Sequence, residues 1–249
     1  MSTPSKIARQ CAALSLIALA SLVLAGCGEK LVDVVKPFKP QYAAFAKQLA
    51  EMAAQEPKQP IPLTAPLNPK PVLKPELAES NTAVFMFPQL TDVRAGLPAK
   101  PLAQDLKLSA RVLTELRTAT QPDDKITGKA RVKQKEELTA GLSPRYIGAV
   151  KILSYQKGEM TGTDGFKSGK AQAVVMLFDR QTSKPIYADL ATAANDSSID
   201  VKFFKDKPIT QESGQGWVNV NLEKNLKQAV LDKFAQGTGG TFEANPYAF

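Results

Sequence analysis

Two acidic doublets, Asp123-Asp124 and Glu136-Glu137, are the residues of this 249-residue chain whose type and spacing come nearest to acid–base or metal chemistry. Paired carboxylates can share a proton or hold a cation. Adjacent residues on a strand or helix point in different directions, however, so neither doublet brings both carboxylates onto one atom. Asp123-Asp124 follows Pro122 and reads as a turn, and Glu136-Glu137 reads as a solvated helix face. The run Gly162-Thr163-Asp164-Gly165-Phe166-Lys167-Ser168-Gly169-Lys170 has the composition of a phosphate-binding loop. Its spacing does not fit, because that motif needs four residues between its glycine and the Gly-Lys pair, then Ser or Thr, and here Ala171 follows Lys170. The run also joins two expected antiparallel strands, so no helix N-terminus points at a phosphate; a mobile loop able to touch a partner is the expectation. The chain has no histidine, which removes the commonest general base, the usual zinc ligand and any Ser-His or Cys-His pair. Trp217, the one tryptophan, is expected to precede the last helix and to pack in the core. The expectation is a non-catalytic protein without catalytic, metal-ligating or cofactor-binding residues.

Cysteine carries the remaining chemistry. The two cysteines are Cys11 and Cys27. A short basic stretch with Lys6 and Arg9 precedes an apolar run from Cys11 to Leu24, closed by Ala25-Gly26-Cys27. Basic start, apolar middle and small-residue end read as a secretory signal over residues 1–26. Leu24-Ala25-Gly26-Cys27 resembles the bacterial lipobox. That resemblance implies cleavage before Cys27 and fatty acylation of its thiol and of the new amino group, a stable membrane anchor. The competing reading is an uncleaved anchor helix. Gly28 and Glu29 lack the Asp that commonly retains such proteins at the inner membrane, which implies an outer-membrane lipoprotein facing the periplasm. Cleavage removes two basic residues, so the formal charge falls from +8 to +6. It leaves no free thiol and no disulfide, so stability must come from a packed core. Basic residues are spread rather than clustered with aromatics, which argues against nucleic acid.

The elements behind the leader follow from periodicity. Residues 27–56 hold the lipidated Cys27 and a short amphipathic helix on which Phe45, Leu49 and Met52 recur, expected to pack on its own domain rather than on a membrane or a second copy. Residues 57–80 form a proline-rich linker whose stretch 57–75 holds Pro57, Pro60, Pro62, Pro66, Pro69, Pro71 and Pro75 and reads as a semi-rigid spacer reaching on the order of 60 Å. A globular domain is expected over 81–236 and a flexible tail over 237–249, with Phe242, Tyr247 and Phe249 able to dock. Strands are expected at 83–87, 145–156, 171–179 and 185–194, the last three as an antiparallel meander, with weaker ones at 125–131 and 201–204. Helices are expected at 101–118, 131–140 and 219–234. The fold class is α+β: a single mixed or mostly antiparallel sheet of four or five strands with helices packed on it.

This order of elements, with Tyr146-Ile147-Gly148-Ala149-Val150 feeding Ala173-Val174-Val175-Met176-Leu177-Phe178-Asp179-Arg180-Gln181-Thr182, resembles the periplasmic α/β domain of curli-secretion-type lipoproteins and of outer-membrane lipoprotein activators of penicillin-binding proteins. The resemblance spans roughly residues 81–234. It implies a binding, assembly or activator role toward an envelope protein partner and transfers no functional residue. The chain departs from that group at Ser183, where Gly or Asn is usual, and shows no alternating lipid-facing strands. The alternatives are a cell-wall-acting enzyme or carbohydrate-binding module using two carboxylates, and a subunit of an outer-membrane secretion complex.

Overall fold

The computed structural model describes residues 29–30, 33, 36–74, 79–91, 125–126, 135–136, 138–162, 165–199 and 210–243. The doublet Asp123-Asp124, Cys27 and the expected elements at 101–118 and 201–204 lie outside them, as does the rest of the tail beyond residue 243.

The described elements, in chain order, are α1 (Lys39–Ala53), β1 (Val72–Leu73), β2 (Thr82–Met86), α2 (Phe87–Thr91), β3 (Tyr146–Gln156), β4 (Glu159–Met160), β5 (Phe166–Lys167), β6 (Lys170–Asp179), β7 (Lys184–Ala194), α3 (Gln211–Thr238) and β8 (Thr241–Phe242). A further pair of two-residue strands, Glu29–Lys30 and Lys125–Ile126, runs antiparallel. Residues 138–142 are helical, at the end of the expected charged helix. The fold is α+β, as the pattern predicts. Its main sheet has four strands in the order β2-β3-β6-β7, with β2 parallel to β3 and the rest antiparallel.

Alternation along these strands sends side chains to two faces, and both faces are covered, which is why β2 and the middle of β6 read as continuous apolar runs. On the first face, Phe45, Leu49 and Met52 of α1 meet Phe85, Ile147, Ala149, Met176 and Phe178, joined by Leu90, Leu138 and Leu142. On the second, Leu222, Leu226, Val230 and Phe234 of α3 meet Val84, Val150, Val175, Leu177 and Ala191. Gly148 lets α3 come this close: a Cβ there would lie 2.9 Å from Val84 Cγ2 and 3.2 Å from Phe234 Cζ.

Three expectations are corrected. The proline-rich segment is not a free spacer ahead of a domain that begins at residue 81. Ile61 exchanges both backbone hydrogen bonds with Ala188 of β7, at 2.9 Å each. Leu67 packs on the second-face core, the Pro69 carbonyl accepts from Tyr146 Oη (2.7 Å), and Val72–Leu73 pair in parallel with Thr241–Phe242. Prolines forbid a ladder but leave carbonyls and apolar side chains to bind the domain, so the segment is a strap around the β7 edge. The tail is not free over 237–243 either: α3 runs on to Thr238, and Phe242 stacks on Phe234 with centroids 5.0 Å apart. Finally, α3 starts eight residues before the expected Asn219, because Thr210 and Ser213 form a reciprocal N-terminal cap. Trp217 therefore lies within α3, half-buried and outside both core clusters.

The β6–β7 turn carries the first testable consequence. Ser183 sits at φ +56°, in the left-handed region that favours glycine. Ser183→Gly is expected to raise stability by about 1 kcal/mol, read as a higher midpoint in urea at unchanged slope.

Candidate docking surface

The strand ends opposite the β6–β7 turn are tied to α3 by polar groups. Buried Asn195 accepts from the Gly169 N–H (2.8 Å) and donates to the Val218 carbonyl (2.7 Å) and to Asn221 Oδ1 (3.1 Å). Gly169 is packed too tightly for any side chain, since a Cβ would lie 2.4 Å from the Gly158 nitrogen. Gln215 of α3 donates to the Gly158 carbonyl (2.6 Å) and accepts from the Met160 N–H (3.0 Å). Residues 165–167 of the glycine-rich run therefore belong to a small β4–β5 hairpin docked on α3, Thr163 and Asp164 lie outside the described residues, and Lys170 opens a strand rather than a helix. Glu136 is exposed; the side chain of Glu137 lies outside the described residues.

Several ionisable groups are committed to partners. Arg145 grips Asp179 with two parallel bonds, Nη2 to Oδ2 at 2.9 Å and Nη1 to Oδ1, and the Gln181 N–H adds a third (2.7 Å). The guanidinium bonding outweighs the opposing desolvation and holds the Asp179 carboxyl below the usual carboxylate range. Asp196 is held low chiefly by Asn221 and Asn225. Burial, the largest influence on Asp189, pushes its carboxyl up, but bonding from Lys233 and the Leu190 N–H leaves it low. Tyr155, whose hydroxyl is buried without a hydrogen-bond partner among the described residues, is pushed up to about 12 by desolvation and by Glu223. General acid catalysis at neutral pH needs a carboxyl raised toward 7, and a phenolate base needs a lowered tyrosine. These groups move the opposite way.

The Asp179 shift fixes an acid dependence. Because the folded carboxyl titrates below its unfolded value, its stabilisation is present above the ordinary carboxylate range and is lost as pH falls through the lowered folded value. Asp179→Asn is expected to cost about 1–2 kcal/mol at pH 7 and progressively less as pH falls below the ordinary carboxylate range, measured by urea unfolding across that range.

What the sheet leaves open lies on the first face, beyond α1. A bulge after Ile152 sets both Leu153 and Ser154 against Gln172. Val174 pairs with Leu190, and Gln172 with Thr192. Leu153 is 53% and Leu190 38% exposed, the largest apolar exposures on the sheet, and Ser154, Gln172 and Thr192 are exposed beside them. These residues carry no charge. An uncharged, partly apolar sheet surface has the composition of an interface centre. Sequence reading did not single it out, since Leu153 and Leu190 look like core residues until the bulge and the end of α1 are known.

The edge beside this surface is blunted. Ala188 spends its outward N–H and C=O on Ile61, so Leu190, Thr192 and Ala194 also turn theirs away from β6. Asp189 Oδ1 accepts from the Leu190 N–H (2.7 Å), and Asn225 donates to the Ala194 carbonyl (2.9 Å). Ile61 and these two bonds interrupt the edge available for strand addition.

Among the described residues no helix is long and apolar enough to cross a membrane, and no group of three or more acidic or cysteine side chains could hold a metal ion. No family model matches the chain. No curated protein matches it. A solved structure of the hypothetical protein CT253 from Chlamydia trachomatis is similar at 16% identity and a TM-score of 0.30, covering 68% of this chain and 99% of that one, which carries no argument about function.

Proposed function

We propose that the protein is an envelope lipoprotein, held by acylated Cys27 at the outer membrane facing the periplasm, that acts as a non-catalytic binding, assembly or activator protein toward another envelope protein. The observation that carries the anchored part is the sequence Leu24-Ala25-Gly26-Cys27 directly behind an apolar run with a basic start. Two or more acyl chains hold a chain to a bilayer stably, at about 0.8 kcal/mol per buried CH₂. The binding part is supported by the uncharged surface at the end of the sheet. The test is intact-mass analysis of the membrane fraction with labelled palmitate. The wild type is expected to begin at Cys27 and to carry fatty acyl groups, and Cys27→Ala to lose the label and accumulate unprocessed. An unmodified Cys27 in a chain that keeps its leader rejects the proposal.

A further inference from the structure

The strap and α1 set the direction of the molecule. Arg180, in the β6–β7 turn, lies over the Phe45 ring (4.8 Å) and donates to Gln48 Oε1 (3.1 Å), so α1 begins at that end of the sheet. Glu56, just past α1, meets Lys151 at 2.6 Å, well along β3, so α1 points toward the other end. Eight residues lie between Cys27 and Lys36, a reach of about 30 Å when fully extended. The chain leading from Cys27 therefore enters α1 at the turn end, the anchor end of the domain. The surface of Leu153, Gln172, Val174 and Leu190 lies at the opposite end, with its charges arranged around it. Residues 57–60 cross the first face between Glu56 at β3 and Ile61 at β7, which puts exposed Lys58 along one border. Exposed Lys170 shares the face of Gln172 and closes the other border. Lys151, nearer the centre, is neutralised by Glu56.

We infer that this anchor-distal surface is the docking site for a partner protein whose contact region has an uncharged apolar centre flanked by acidic residues that meet Lys58 and Lys170. The inference rests on the binding role proposed above and names where and with what chemistry it is exercised. A second copy joined by edge pairing is disfavoured by the capped β7 edge.

A photo-crosslinking amino acid in place of Gln172, in the full-length chain in its own cells, tests it. The expected result is one adduct with a different protein, the crosslinked peptide bearing apolar residues beside Asp or Glu. Lys58→Glu with Lys170→Glu should lower its yield about tenfold. Lys36→Glu with Lys39→Glu, at the anchor end, should leave it unchanged. Each variant is checked for an unchanged thermal midpoint, and Lys58→Gln with Lys170→Gln stands in should the reversal unfold. An adduct of twice the chain's own mass, a crosslink to residues 92–134 of the same chain, an adduct indifferent to both lysine pairs, or no adduct overturns the inference. The two failures are distinct: acylated Cys27 with no adduct sinks this surface alone, and an adduct from an unacylated chain sinks the anchor alone.

Discussion

Replacing Val175 by Asp is expected to unfold the domain outright. Val175 is fully buried in the middle of β6, facing α3 among Val150, Leu177 and Leu222. Its cross-strand neighbours are Val150 and Asp189, so the new carboxylate would have no cation opposite it and a like charge alongside. Burying an unpaired carboxylate costs several kcal/mol even after the group takes up a proton, which is comparable to the whole stability of a domain, about 5–15 kcal/mol. Val175→Ala, which only leaves a small void, should cost about 2–3 kcal/mol and keep the fold. Circular dichroism and soluble yield separate the two. A Val175→Asp chain that melts within a few degrees of the wild type would mean that this face of the sheet is not sealed by α3.

The second large effect concerns where the folding unit begins. A chain starting at residue 81, the boundary that composition suggests, is expected to be insoluble or molten. Phe45, Leu49 and Met52 are each wholly buried and contribute on the order of 5–9 kcal/mol of burial between them. Their removal bares Phe85, Ile147, Met176 and Phe178 on the first face, and loss of the strap frees β8 and the Tyr146 hydroxyl. A chain starting at residue 36 should unfold in one cooperative transition with the full stability. If the shorter chain unfolds at the same urea concentration as the longer one, α1 and the strap do not belong to the folding unit.

These two cases mark where sequence reading succeeds and fails. Strand periodicity is local, and β2, β3, β6 and β7 fall within a residue of the expected bounds because their apolar runs are long and end at turn residues such as Gln181 and Thr182. The α1 face was legible for the same reason. The strap was not, because proline content forbids regular structure without saying whether the irregular chain is free or bound. Its attachments at Ala188, Tyr146 and Thr241 are contacts between residues far apart in sequence. The first turns of α3 were hidden by Gly214 and Gly216, whose composition reads as loop. Met160 packs against Gly214, where a Cβ would lie 2.8 Å from its Cε, and the Thr210–Ser213 cap starts the helix all the same. The docking surface was invisible because exposure of Leu153 and Leu190 depends on where α1 stops.

The chain from Cys27 enters at one end of the sheet, and the uncharged surface lies at the other. The mature chain proposed above, acylated at Cys27, placed in vesicles and labelled at a single introduced cysteine, measures this by energy transfer to acceptor lipids; residues 28–249 contain no cysteine of their own. Transfer from Lys184→Cys in the β6–β7 turn should be strong, and transfer from Lys157→Cys, just past β3, clearly weaker. Equal transfer from both positions, or stronger transfer from Lys157→Cys, would contradict the account.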